Sequence, residues 1–426
     1  MKNLIYDISD IPRPWYKCLI YAIQQVLAVF VATVLIASIC GTPISSCLFG
    51  AGLATIIYQL ITKFKSPMFI SSCGATVSAV IGALTIGETR NYFLVVIGGL
   101  VIFAIYAILA GLVKWRGINV INKIFPPVIV GSITLVIGIN LAGFIPTYVQ
   151  VQGEHSNIGL IVALITMLAV AITSHYFKGF WKTIPFLFGL VIGYIISIVL
   201  TVTGAAQLVD FSVFKNMSII SMPEWTFAYW SFKTITITQI LEVIALFAPV
   251  ALCSALEHYS DHQVLSNIIG TNLIKTPGLH RTLLGDGTAS LAGTIVCGLP
   301  NTSYGESIAT VGFSQVASTL VLTVAAGIMI VLSFITPVQA ILASIPSCVF
   351  GGCAMILYGY IAASGLKTLI NSKTDFNDNK NLVVASVILT VGVSGIWLFN
   401  EAITGVALAM ILGVVLNLIL RKKEKT

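Results

Sequence analysis

The chain has 426 residues, of which 57% are hydrophobic and only 9% charged, with a formal charge of +7 from 22 Lys and Arg against 15 Asp and Glu. A mean hydropathy of +1.01 excludes a soluble globular protein and points to a membrane protein. The basic excess is dispersed between apolar runs, which excludes nucleic acid as the partner its charge would otherwise suggest.

The N-terminal segment holds Asp7, Asp10, Arg13 and Lys17 before the first apolar run at Cys18. No small-residue cleavage site follows a short apolar stretch, so no removable signal peptide is expected. From there the apolar runs are long enough to cross ~30 Å of hydrocarbon, which takes about 20 helical residues. They are continuous and do not alternate, which excludes a closed β-barrel. Fourteen spans are expected, beginning near residues 18, 44, 68, 91, 125, 157, 184, 236, 280, 303, 317, 338, 382 and 401. The fold class is therefore an all-α polytopic membrane protein. With the N-terminus inside, only Arg90, Lys215 and Lys233 of the 22 basic residues fall outside, the bias expected of cytoplasmic loops. Both termini are expected in the cytoplasm of a cell whose cytoplasmic membrane the chain crosses.

The polar stretch 204–234 divides the chain into an N-terminal segment 1–17, a seven-span repeat 18–203, an extracellular connection 204–234, a second seven-span repeat 235–420 and a tail 421–426. Phe125-Pro126-Pro127 and Gly131 are echoed by Ile345-Pro346-Ser347 and Gly351, an offset of 220 residues. The run Ser71-Ser72-Cys73-Gly74-Ala75-Thr76-Val77 is echoed by Tyr304 to Val311. Seven is odd, so the second repeat enters from the opposite side and the repeats are inverted. Inverted repeats with broken spans at matching places are the pattern of a transporter whose site lies at mid-membrane. Each broken span, near 68 and near 303, is expected as a short extended stretch followed by a half-helix starting near Gly74 or Ser307. Such backbone must be buried or line a cavity, with the half-helix N–H groups aimed at the bundle centre.

Ionisable groups within spans mark function by default. Glu257 and Asp261 stand four apart on one helical face. Two carboxylates this close in a low-dielectric site cannot both stay ionised, which makes the pair a proton carrier. His258 and His262 are expected as hydrogen-bonded helpers. Glu306 lies in the second broken span as a functional-site candidate, whereas Asp286 is read as a structural cap for a neighbouring helix in preference to a gating residue. Gln24 and Gln25 read as hydrogen-bonding glue between helices, and Glu242 and Glu401 as solvated residues at outer span ends. The eight cysteines show no CxxC spacing and read as small core residues. No metal-ligand cluster, phosphate loop or nucleophile–base spacing is present, so neither cofactor, metal nor enzymatic activity is expected.

Pro300-Asn301-Thr302-Ser303-Tyr304-Gly305-Glu306, Glu257-His258, Pro277-Gly278-Leu279-His280-Arg281, Phe125-Pro126-Pro127, the Tyr358–Gly365 stretch and Val391–Gly395 together resemble the nucleobase–ascorbate transporter family. Within it they look most like the bacterial uracil permeases. The resemblance implies a core domain and a gate domain, proton-coupled uracil import, and a homodimeric assembly in the lipid bilayer. It also implies that Glu257, Gly305, Glu306 and Cys73 contact the substrate, with Asp261 and Glu257 coupling protons. The chain departs from the family pattern at Cys73, where uracil permeases usually carry Phe. It departs again at Asp261, where they often have His, and at Gln24-Gln25, where a Gln-His pair is common. The alternatives are a xanthine-type purine permease and, further off, a sulfate-permease-like anion transporter.

Overall fold

The structure is a computed structural model and describes residues 4–86, 90–117, 126–151, 154–215, 218–230, 235–396 and 405–420. Glu401, Lys123, Lys233, Phe125 and the tail 421–426, to which the sequence assigns roles or sides, lie outside these residues. Eight described helices are long and apolar enough to cross a membrane, and four shorter apolar helices accompany them.

Helix α1 (Trp15–Cys40) starts behind Pro14 and ends at Gly41, whose φ of 60° lets its N–H reach back to Ala37 and Ser38. It is followed by α2 (Ile44–Ile61). Next come strand β1 (Ile70–Ser72), a tight helical turn over Gly74–Thr76, and α3 (Val77–Thr85). Then come α4 (Phe93–Arg116) and α5 (Pro127–Ala142), the latter with proline at its first position, where a missing N–H costs nothing. After one further turn, Ile145–Tyr148, a two-residue strand pair β2 (Gln150–Val151) and β3 (Glu154–His155) leads into α6 (Asn157–Tyr176) and α7 (Pro185–Val202).

Helix α8 (Ile237–Ile269) is the longest, at 33 residues. At ~1.5 Å per residue it outruns the hydrocarbon. Thr236 and Gln239 form a reciprocal capping box at its start. Pro249, two turns before Glu257, removes one backbone donor from its ladder. Helix α9 (Leu279–Ile295), strand β4 (Asn301–Ser303) and α10 (Gly305–Ser314) follow, then α11 (Thr319–Leu332), α12 (Ser347–Asn371), α13 (Asn379–Val393) and α14 (Gly405–Ile419).

Two sequence expectations shift. The run expected from near 338 is divided into a short helix, Thr336–Ala343, and α12, because Pro346 holds extended backbone and starts a new helix. The second half-helix begins at Gly305, not near Ser307.

The helices sort into two packed bodies. In one, α9 packs on α4 and α2, α11 on α1 and α2, and α8 on α4. In the other, α12 packs on α5 and α6, α13 on α5 and α14, and α6 on α7. Neither body is a contiguous half of the chain. Small residues set the approach of α5 to α12: a Cβ at Gly365 would stand 2.5 Å from the carbonyl oxygen of Gly131 and from the backbone nitrogen of Leu135.

The two broken spans meet. Strands β1 and β4 pair antiparallel, with Ile70 opposite Ser303, Ser71 opposite Thr302 and Ser72 opposite Asn301. The Cys73 N–H continues the ladder to Pro300 O at 2.9 Å. Side chains satisfy the backbone that the short ladder leaves over: Ile70 N–H donates to Thr55 Oγ1 at 3.0 Å, and Phe69 N–H to Ser307 Oγ at 3.3 Å. Extended backbone thus persists deep in an apolar bundle because its polar groups find protein partners.

The N-terminal segment docks onto the turn between α10 and α11. Ile5 N–H donates to Gln315 O, Ala317 N–H to Tyr6 O and Thr319 N–H to Ile8 O, and the Ser318 hydroxyl to Asp10 O. The strap holds the far end of the half-helix that carries Glu306.

Candidate functional site

Glu257, Glu306, Gly305 and Cys73 all line one cavity of about 380 Å³, between the starts of the two half-helices and the second body. Glu257 is exposed and Glu306 half-buried, but the space they face is the cavity, enclosed by helices on several sides. Asp261, one turn beyond Glu257 on α8, lines an adjoining cavity of about 550 Å³, and Glu257 borders both. Glu257 and Asp261 therefore border two adjoining cavities.

The geometry follows from the strands. Along β4, successive side chains alternate in direction. The Thr302 hydroxyl donates to Asp286 Oδ2 at 3.0 Å, whereas the Ser303 hydroxyl donates to Asp261 Oδ2 at 2.8 Å. Ser303 N–H also reaches Asp286 Oδ2 at 3.4 Å. The Ser254 hydroxyl, three residues before Glu257 on α8, donates to Thr302 Oγ1 at 3.2 Å and sits 3.6 Å from Cys73 Sγ. Strand β4 is thereby tied to α8 and α9 by side chains on both of its faces, and the start of α10 inherits that placement.

Asp286 is fully buried, and its Oδ2 lies 2.6 Å from Nδ1 of the equally buried His258. His262 lies against His258 with ring centroids 4.1 Å apart and planes tilted by 38°, and its Nε2 lies 2.8 Å from the Tyr58 hydroxyl and 3.1 Å from Ser66 Oγ. Both histidines thus face the first body's interior, away from the cavity, while Glu257 and Asp261 face out of it. Asp286, expected to cap a neighbouring helix, instead has Thr302 and Ser303 of strand β4 and His258 as its partners. Gln25 is buried but its Oε1 finds no hydrogen-bond partner among the described residues, so its expected glue role is not realised there. Glu242 is half-buried near the start of α8. All eight cysteines are free and buried. Among the described residues no group of three or more His, Cys, Asp or Glu is arranged to hold a metal ion.

Sequence reasoning did not single out Ser254 or the cavity-lining Phe186, and met Tyr360 only within the stretch that carries the family resemblance, with no role in the site. Ser254 was legible as a hydroxyl three residues from a membrane carboxylate, on the same helical face. Phe186 and Tyr360 were not, because they sit on helices of the other body and reach the site only through tertiary packing.

Chemically, the cavity offers two acceptor carboxylates, together with backbone N–H groups at the first turns of two helices, which have no partner within their own helix. Such a set matches a small solute with both donors and acceptors on its rim. The sequence model of the Permease family matches residues 16–401. The chain belongs to this family. The permease is 36% identical over 428 residues to the uracil permease of Bacillus caldolyticus, covering 99% of this chain and 95% of that one. It is 32% identical to the uracil permeases of Bacillus subtilis (strain 168) and Escherichia coli (strain K12), over 100% and 99% of this chain and 97% and 95% of theirs. Among solved structures, the permease resembles the transmembrane domain of a cyanobacterial bicarbonate transporter, BicA, with a TM-score of 0.67 and 15% identity over 95% of this chain and 99% of that one. It also resembles the SLC26A9 structure, with a TM-score of 0.64 and 12% identity over 96% of this chain and 66% of that one. At such identities the likeness is one of fold. The protein is a multi-pass membrane permease, not an enzyme.

Proposed function

We propose that the protein is a proton-coupled symporter that imports a nucleobase, with uracil the first candidate, across the cytoplasmic membrane. The observation that carries the reading is that Glu257, Glu306, Gly305 and Cys73 border one cavity in a chain whose relatives are named uracil permeases. Uracil presents two N–H donors and two carbonyl acceptors around a flat ring. Glu257 and Glu306 accept from the N–H edges, and backbone N–H groups near Cys73 and Gly305 donate to the carbonyls. Polar groups left unpaired by a poorer ligand cost about 1–3 kcal/mol each, which is the source of discrimination.

Asp261 and Glu257 carry the coupled proton. A proton moving inward gains ~2.3 kcal/mol per 100 mV of membrane potential, which drives accumulation of a neutral base. The fourteen spans are two inverted seven-span repeats, 18–203 and 235–420, joined by an extracellular connection. The antiparallel pairing of β1 with β4 supports that two-fold relation. The distribution of basic residues supports cytoplasmic termini. In that orientation the larger cavity, bordered by Lys367 and Asn371 near the end of α12 and Asn267 near the end of α8, opens to the cytoplasm, so this is an inward-facing state. Ile39 and Tyr148 then lie at the extracellular end, where the Tyr148 hydroxyl donates to Ile39 O at 3.1 Å between the two bodies. Assembly as a homodimer is part of the same reading, tested by the mass of the detergent-solubilised protein.

Labelled-uracil uptake in cells tests the proposal. An uncoupler abolishes concentrative uptake if protons drive it, and concentrative uptake that survives refutes the coupling. Glu257→Gln and Glu306→Gln proteins that reach the membrane and still transport normally refute the site. Unlabelled xanthine competing better than unlabelled uracil would favour the purine alternative. Two carboxylates on the cavity disfavour an anionic substrate, despite the shared fold with a bicarbonate transporter.

A further inference from the structure

We infer that Tyr360 supplies the aromatic surface against which the flat face of the substrate rests, so that the body opposite the broken spans reads the ring. The inference rests on the nucleobase reading above and deepens it. A heterocyclic base offers its polar rim to hydrogen-bonding groups and leaves two apolar faces to be covered. The rim has its partners in Glu257, Glu306 and the half-helix N–H groups. The faces have little there, because Cys73 at the first half-helix brings a thiol and no ring, and Tyr304 at the second is only 7% exposed.

Three aromatic side chains border the cavity: Tyr304, Phe186 and Tyr360. Tyr304 and Phe186 are only 7% and 4% exposed, so packing covers most of their surface, whereas Tyr360 is 46% exposed. Its neighbour two residues back, Tyr358, is 1% exposed and turned into the core. Tyr360 is also held in place. Its hydroxyl lies 2.8 Å from Ser174 Oγ on α6, and its ring meets Phe186 edge to face at a centroid distance of 6.3 Å and 77°. A ring that borders the cavity, is fixed at its tip and along its edge, and is not covered by packing is preorganised for stacking and loses little freedom on binding. Because α12 and α6 belong to one body and the two carboxylates to the other, the contact forms only when both bodies embrace the same molecule. Planarity is thus read by one body and the hydrogen-bond pattern by the other.

The test is equilibrium binding of labelled uracil to purified wild-type, Tyr360→Phe, Tyr360→Leu and Tyr360→Ala proteins, with competition by 5,6-dihydrouracil. That compound keeps the same polar rim on a puckered, non-aromatic ring. Tyr360→Ala is expected to raise Kd about fivefold or more, the low end for ring–base stacking. Tyr360→Phe stays within about twofold, since it keeps the ring face, and Tyr360→Leu falls between them. The preference of the wild type for uracil over dihydrouracil shrinks in the Leu and Ala variants, a change that loosened packing alone would not produce. Should Tyr360→Ala fail to fold, Tyr360→Leu carries the same comparison. Unchanged Kd and unchanged preference in a folded Leu or Ala variant overturn the inference and leave the nucleobase reading intact. A wild type that binds no base refutes that reading, and the inference with it.

Discussion

Replacing Asp286 by Ala should damage the site without touching the cavity wall. Oδ2 of Asp286 accepts from the Thr302 hydroxyl and Ser303 N–H and lies 2.6 Å from His258 Nδ1. The Thr302 hydroxyl can rotate to another acceptor, but Ser303 N–H and the His258 ring are held by the strand and by α8. Two buried polar groups are therefore stranded, at about 1–3 kcal/mol each, for a loss of about 2–6 kcal/mol. At roughly 2 °C per kcal/mol for a large chain, the detergent-purified variant should melt about 4–12 °C below wild type by tryptophan fluorescence. Asp286→Asn keeps an acceptor oxygen in the same place and should lose less than half as much. Since β4 leads directly into Gly305 and Glu306, uracil affinity should fall in parallel with stability across the two variants. An Ala variant that melts within about 2 °C of wild type would show that Asp286 does not anchor β4.

Other perturbations separate the parts of the fold. Gly365→Ala places a Cβ against two backbone atoms of α5, which cannot yield as a side-chain tip would, so destabilisation of about 1–3 kcal/mol is expected and is read as a lowered melting temperature. Tyr148→Phe removes the hydroxyl that bridges the two bodies at Ile39, worth about 0.5–1.5 kcal/mol. Spin labels near Cys40 at the end of α1 and Ser347 at the start of α12 should report a larger population with these ends apart, and an unaltered distance distribution would exclude a latch. Deleting residues 2–9 removes the backbone bonds of Ile5, Tyr6 and Ile8 to the α10–α11 turn. Amide exchange at Ala317 and Thr319 should then rise by about tenfold or more, and no change would mean that the turn holds itself.

Much of this protein is legible along the chain because a bilayer is an unforgiving solvent. Glu257 and Glu306 were conspicuous as carboxylates surrounded by apolar sequence, and the Gly- and Ser-containing interruptions near 68 and 303 announced themselves against helices on either side. Pro346 was visible too, but its consequence, a short helix before α12 instead of a continuous span, depended on how Thr336–Ala343 packs. Asp286 could be placed on a helix from its neighbours, yet nothing in its local pattern said that it would cap a strand. Ser254 and Tyr360 were still less evident, since neither breaks the composition of its helix.

The order of apolar runs and the location of costly polar groups depend on local composition, so sequence alone determined the membrane class, the two interruptions and the acidic candidates. Which of those groups share a cavity depended on contacts between residues far apart in the chain. Ser71 meets Thr302, Ser303 meets Asp261, and Tyr360 and Glu257 border one cavity from two bodies that each draw on both halves of the sequence. Periodicity shows which side of a helix is apolar, but it carries no information on which neighbour that side will find; only close packing of the assembled bundle decides it.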